Sequence, residues 1–219
     1  MNLDFSSILP SLPYILKGIG VTLQIVGLAG LVGFLLGIIL SLFKISSFKP
    51  LVWFADAYTS IFRGTPLVLQ LMIIYFGSPQ VFGYQIEPIT AAVSAFGLNS
   101  AAYISEIIRA GILAVDKGQS EAAMALGVPY RKMMLHIILP QALKNILPAL
   151  LNEFITLTKE SAIVTTIGVM DIMRRAYQVG ADKFRFIEPL LLAGLIYYLM
   201  VIVLTILGKA LERRMRRGD

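Results

Sequence analysis

A carboxylate stands at Glu153 inside an apolar run, residues 143–158, and no basic side chain lies within one helical turn of it. The positions one turn away are Ala149, Leu150, Thr156 and Leu157. In hydrocarbon such a carboxylate costs roughly 2.5 kcal/mol or more, even on permissive insertion scales. It therefore requires a proton, water or a cation from elsewhere. Arg63, a partner subunit and a bound cationic substrate are the candidates. A second polar feature interrupts another apolar run. Arg63-Gly64-Thr65-Pro66 breaks the stretch 51–76. Pro66 suits the first position of a new helix, with Thr65 expected as its cap. At about 1.5 Å per residue the break lies roughly 20 Å from residue 51, near mid-membrane. Broken spans at that depth place helix N-termini where they attract anionic groups; a proline kink that serves packing alone is the competing reading. Arg63 also has Asp56 two turns earlier as an expected ion-pair partner. Asn99 forms a stripe with Tyr103 and Glu106 and admits two roles, bridging helices or binding a ligand. Glu106 and Arg109 are spaced for a local ion pair.

Other chemistries are excluded. There is no cysteine, hence no disulfide, thiol nucleophile or thiolate-bound cluster. His136 is the single histidine, so a His-rich metal site is ruled out. No G-x-x-x-x-G-K-[ST] occurs, and the chain supplies no ATP site of that type.

The elements that must position these residues are membrane spans. Of the 219 residues, 57% are hydrophobic and 15% charged, and mean hydropathy is +0.79. These values lie outside the soluble range. We expect five spans, near residues 18–43, 51–76, 89–108, 143–158 and 190–207. Gly27, Gly30, Gly33 and Gly37 give the first a face on which another helix can approach closely. The N-terminal segment lacks the basic residues of a signal peptide and is expected outside. Residues 160–189 are polar and expected on the outer side as re-entrant and short interfacial helices. The last residues form a basic tail. The net charge of +6 could suggest nucleic acid. The basic residues cluster at span ends, which fits lipid headgroups and no nucleic acid. With the N-terminus outside and the C-terminus cytoplasmic, twelve Lys and Arg fall on the inner side and six on the outer.

Between the third and fourth spans lies a soluble-looking stretch, residues 118–140. Ser120 is expected to cap a short helix and Glu121 to sit in its first turn, followed by the helix formers Ala122 to Leu126. Gly127 is placed to end that helix, and Pro129 forbids its simple continuation.

Glu121-Ala122-Ala123, Gly127 four residues after Ala123, and then Ile137-x-Leu139-Pro140 resemble the EAA loop of ATP-binding-cassette importer permeases. Phe62-Arg63-Gly64-Thr65-Pro66-Leu67, the stretch from Asn99 to Gly111, and Asn152 to Ser161 resemble the polar amino acid uptake branch of that family. The resemblance covers most of residues 15–212, within one permease domain spanning 1–219. It implies an all-α membrane protein of the type I ABC importer permease fold, in the inner membrane of a prokaryote. It implies no enzymatic activity in this chain, whose place is the pathway. Its partners would be a second permease subunit, a dimer of ATPase subunits carrying ATP and Mg, an extracytoplasmic amino-acid-binding protein and the lipid bilayer. Ser120, Glu121, Ala122, Ala123, Gly127 and Pro140 would then form the ATPase-coupling loop. Transport would proceed by alternating access. The substrate carboxylate is expected at the free amides of Leu67 and Val68 beside Thr65, with hydrogen bonds from Gln70 and Asn99. Glu153, with Thr156 at i+3, would meet a cationic side chain or the α-ammonium. That motivates arginine, lysine or histidine as substrate. The alternative from another class is an ion-coupled secondary transporter or channel subunit using Glu153 as its ion site.

Overall fold

The computed structural model describes residues 3–216; Met1, in the N-terminal reading, and Arg217, in the basic tail, lie outside the described residues. A 3-10 turn, Leu9–Ser11, and α1 (Leu12–Leu16) lead into α2 (Gly18–Lys44). Then come α3 (Lys49–Gly64), α4 (Leu67–Phe82) and α5 (Pro88–Leu113). α6 (Lys117–Ala125), α7 (Tyr130–Met133) and a π-helical turn, Met134–Ile138, precede α8 (Leu139–Glu160). A 3-10 segment, Ser161–Ile167, joins α8 to α9 (Ile172–Lys183), and α10 (Ile187–Arg216) closes the described chain. No strand occurs among the described residues.

Four stretches are long and apolar enough to cross a membrane: Leu9–Lys44, Pro88–Leu113, Tyr130–Ile167 and Ile187–Arg214. α3 and α4 pass the same test only as a pair, and they meet at an angle of 101°. The interruption expected at Gly64–Pro66 is therefore a sharp corner. Thr65 is extended, as a residue before proline must be, and neither helix can continue through it.

α5 forms the axis of the bundle, and α2 lies against it through small residues. A Cβ placed on Gly33 would stand 2.9 Å from Ser100 Cβ, and one on Gly37 would stand 2.7 Å from Ile104 Cγ2. Gly97 faces back with equal economy, 2.8 Å from Val32 Cγ1. The main apolar core runs from Ile25, Val26 and Ala29 on α2 through Ala92, Ala95 and Phe96 on α5. Leu157, Val164 and Ile167 complete it, so the α8 end and the 3-10 segment share that core.

The polar segment 160–189 is well anchored. Asp171, fully buried, accepts from the Arg174 amide at 2.8 Å and caps α9. Its other oxygen accepts from the Tyr197 hydroxyl at 2.9 Å. Burial raises the Asp171 carboxyl above its usual range, against the pull of those donors. The N-terminal segment packs on the same region. Ile8 and Ile15 join Ile172, Ala176 and Ile196 in a second core, and the Asp4 amide donates to Glu188 Oε1 at the start of α10.

A charge cluster ties α2, α3 and α5 together at the opposite end. Lys44 Nζ lies 2.8 Å from Asp56 and 2.6 Å from Glu106, and Arg109 pairs with Glu106 at 2.8 Å as its spacing led us to expect. Asp56 therefore pairs with Lys44, and the expected Asp56–Arg63 pair does not form. The Lys44 side chain is 3% exposed, between carboxylates that are 59% and 21% exposed. Lys44→Met leaves Asp56 without its cation and Glu106 with Arg109 alone. A fully buried pair broken this way loses about 3–5 kcal/mol. Water at Asp56 reduces the expected cost to about 1–3 kcal/mol. Thermal unfolding of the purified variant checks this, and an unchanged midpoint would reduce the cluster to a solvated decoration.

Candidate functional site

The corner between α3 and α4 leaves carbonyls at the end of α3 without helical partners. Two buried amides take them up. Gln70 Nε2 donates to Phe62 O at 2.8 Å and to Thr65 O at 3.1 Å. Asn99 Nδ2, from α5, donates to Phe62 O at 3.0 Å and to Gln70 Oε1 at 3.1 Å. Asn99 thus bridges helices, and no donor among the described residues reaches its Oδ1. Thr65 does not cap α4. Its hydroxyl donates to Ile61 O at 2.8 Å and accepts from Gln70 Nε2, closing α3 instead. Pro66 occupies the cap position and α4 starts at Leu67. The first amides to bond back to Pro66 O belong to Leu69 and Gln70, so those of Leu67 and Val68 precede the helical ladder.

Glu153 projects from α8 toward α2 and α5. Its Oε1 accepts from the Ser100 hydroxyl at 2.8 Å, and no ion pair engages it among the described residues. Of the candidate partners, Arg63 does not pair with it among the described residues. Glu153 and Ser100 line a cavity of about 280 Å³ that is otherwise apolar, walled by Gly30, Phe34, Ile104 and Phe154. Larger cavities of about 510 and 400 Å³ are lined almost wholly by aliphatic and aromatic side chains and offer a polar cargo little to bond. Thr156 is half-buried and stands outside the Glu153 cavity lining. Among the described residues no cluster of three or more His, Cys, Asp or Glu could hold a metal.

Ser100 is the residue that sequence reasoning passed over. Beside Asn99 it reads as an ordinary helix serine. Its neighbour Asn99 serves the α3–α4 corner while Ser100, about 100° further round α5, serves Glu153.

The stretch 118–140 forms a second surface. Asp116, not Ser120, caps α6, accepting from the Gly118 amide at 2.7 Å. The helix starts earlier than expected because Asp116 offers a carboxylate there; Ser120 lies inside it, its hydroxyl donating to Lys117 O. Glu121 consequently falls beyond the first turn. α6 ends as Gly127 was expected to end it. Gly127 has φ +69°, and the Val128 amide bonds back to Ala123 O at 3.0 Å. Ala123 is 3% exposed and packs with Met133 and Ile138, which fixes α6 to its own fold. Glu121 and Ala122 face outward, with Met124 61%, Leu126 83% and Tyr130 67% exposed around them. Pro140 sits in the first turn of α8, directly after the π-helical turn. Widening that turn accommodates the hydrogen bond that Pro140 cannot donate.

Comparison with known proteins identifies the family. Residues 33–217 match the family described as binding-protein-dependent transport system inner membrane component. The chain is 64% identical over 219 residues, the full length of both proteins, to the arginine transport system permease protein ArtQ of Bacillus subtilis (strain 168). It is 39% identical to the glutamate/aspartate import permease protein GltK of Escherichia coli O157:H7, covering 96% of this chain and 97% of that protein. A crystal structure of an amino acid ABC transporter with histidines superposes with a TM-score of 0.93 at 46% identity, covering 98% of this chain and all of that one. The chain therefore belongs to the binding-protein-dependent inner membrane components, as a permease subunit of an amino acid ABC importer whose ATPase is a separate subunit.

Proposed function

We propose that this chain builds the translocation pathway of an ATP-driven importer of cationic amino acids, working by alternating access as one half of a permease dimer. The observation that carries the substrate class is Glu153, a carboxylate whose one hydrogen-bond donor among the described residues is a neutral hydroxyl and which lines an otherwise apolar cavity. A guanidinium, ammonium or imidazolium supplies the charge that Glu153 lacks. The 64% identity to an arginine permease points the same way. In this reading the substrate carboxylate meets the amides of Leu67 and Val68, and Asn99 Oδ1 accepts from its ammonium. Gln70 and Thr65 hold the corner that presents those amides.

Five crossings with termini on opposite sides are supported by the placement of Asp4. Asp4 bonds to Glu188, and the 30 residues of α10 then run roughly 45 Å to the other end. An odd number of crossings follows when α3 and α4 together count as one. The outward surface around Glu121 and Gly127 is the docking element for the ATPase dimer. An extracytoplasmic binding protein delivers the substrate at the other end.

The test is uptake into vesicles holding the permease, its ATPase and its binding protein. Glu153→Gln should lower arginine uptake by about tenfold or more, the loss of one charge-assisted contact, and leave glutamine uptake within about twofold. Equal loss for both amino acids would sink the cationic assignment.

A further inference from the structure

Arg63 belongs to neither of the arrangements above. It is exposed, one residue before the α3 terminus, with its guanidinium 5.3 Å from the centre of the Tyr103 ring. No carboxylate pairs with it among the described residues, and none of its N–H groups donates to a protein acceptor there. A guanidinium inside a span does not face lipid; it faces a water-filled path or the bundle interior. The cation–π contact holds the guanidinium over the Tyr103 ring and leaves its N–H groups without a protein acceptor among the described residues.

The direction of Tyr103 on α5 locates the guanidinium. At about 100° per residue, Tyr103 lies about 40° from Asn99 and about 60° from Ser100. Asn99 serves the α3–α4 corner and Ser100 serves Glu153, so Tyr103 points between them. It is 36% exposed, whereas Asn99 and Ser100 are 7% and 1% exposed. Arg63 therefore lies over the strip of α5 between the residue that serves the α3–α4 corner and the residue that serves Glu153.

We propose that Arg63, held over the Tyr103 ring, is a specificity-determining residue that reads the substrate α-carboxylate and rejects amines lacking one. This rests on the reading of this face as an amino-acid pathway. Its chemistry follows from the donor set: a planar fork without a protein acceptor matches a carboxylate in two parallel hydrogen bonds. Glu153 reads the far end of the substrate and Arg63 the near end, so a cation alone satisfies only half of the site. A polyamine or decarboxylated amino acid would leave Arg63 unmatched beside a second positive charge.

The experiment is equilibrium binding of labelled arginine to the permease–ATPase complex in lipid nanodiscs, without binding protein. Agmatine, which is arginine without its carboxylate, and citrulline, which keeps the carboxylate and has a neutral side chain, serve as competitors. The wild type is expected to prefer arginine over agmatine by about tenfold or more. Arg63→Gln should erase that preference by weakening arginine alone, and Tyr103→Leu should reduce it while Tyr103→Phe preserves it. The arginine-over-citrulline preference should survive in Arg63→Gln and disappear in Glu153→Gln. A wild type that prefers arginine over agmatine but not over citrulline, or a Glu153→Gln variant that keeps the citrulline preference, is a failure of the cationic reading, not of this one. The proposal is overturned if the wild type binds arginine and agmatine equally, or binds neither. It is equally overturned if Arg63→Gln weakens both ligands alike, the signature of an intersubunit or folding role. Size-exclusion profiles of each variant complex identify a folding defect, and Arg63→Lys, which keeps the charge without the fork, should retain part of the discrimination.

Discussion

A permease carrying Gly127→Asp is expected to fold, reach the membrane and fail to transport. Gly127 has φ +69° and a Cβ there would meet nothing within 4 Å. Its own chain thus requires glycine only for the left-handed turn that ends α6. Aspartate adopts that conformation better than most side chains, and the cost is on the order of 1 kcal/mol. The empty space above it is the point. A partner that approaches Gly127 and the exposed Met124, Leu126 and Tyr130 would meet new bulk and a new negative charge. We expect ATPase co-purification and substrate-stimulated hydrolysis to fall by about tenfold or more, with thermal stability within about 1 kcal/mol of wild type. Normal co-purification and normal uptake would remove α6 from the docking surface. A large stability loss would assign the glycine to folding instead.

Gly37→Leu has the second large expected effect, on the fold itself. A Cβ at Gly37 already meets two atoms of the β-branched Ile104, at 2.7 and 2.8 Å, and Ala101 O at 3.3 Å. Leucine adds three further carbons in that direction. α2 must then lift from α5, and the core from Ile25 to Phe96 opens with it. Overpacking of this kind costs typically 1–3 kcal/mol, and more where backbone blocks relief. We expect folded permease in the membrane to fall several-fold. Gly27→Leu is the control. Nothing lies within 4 Å of its Cβ, and leucine favours the helix by up to about 1 kcal/mol. If both variants express alike, close α2–α5 packing is not what holds the bundle together.

These glycines also mark how far the sequence reaches. Gly27, Gly30, Gly33 and Gly37 share a helical spacing, and spacing alone makes them equivalent candidates for a packing face. The fold separates them: Gly33 and Gly37 meet α5, Gly30 meets the Phe154 ring, and Gly27 stays open. Which of several small residues is pressed depends on how the neighbour crosses, and that is a property of two helices together.

The helix-and-turn of residues 118–140 is legible in part because its signals are local. Gly127 needs a left-handed turn, and Pro129 cannot continue α6; both constraints act within a few residues. Even here the cap was misplaced, since Asp116 and Ser120 are both good capping residues and a carboxylate four residues upstream starts the helix first. The corner at Gly64–Pro66 was also local, because proline restricts the residue before it and lacks an amide. Its 101° angle was not, since Gln70 and Asn99 hold it from different helices.

Local sequence was enough for a polytopic helical membrane protein, the broken span, a short helix ended at Gly127, and a carboxylate at Glu153 that requires a proton, water or a cation. Each of these follows from hydropathy, backbone restriction or the cost of burying an ion, quantities that neighbouring residues fix. The partners depend on how the helices pack. Lys44 claims Asp56, Ser100 claims Glu153, and Arg63 turns to Tyr103. Ion pairs and side-chain hydrogen bonds join residues 12 to 53 positions apart in these cases, and a one-dimensional pattern carries no record of which faces meet.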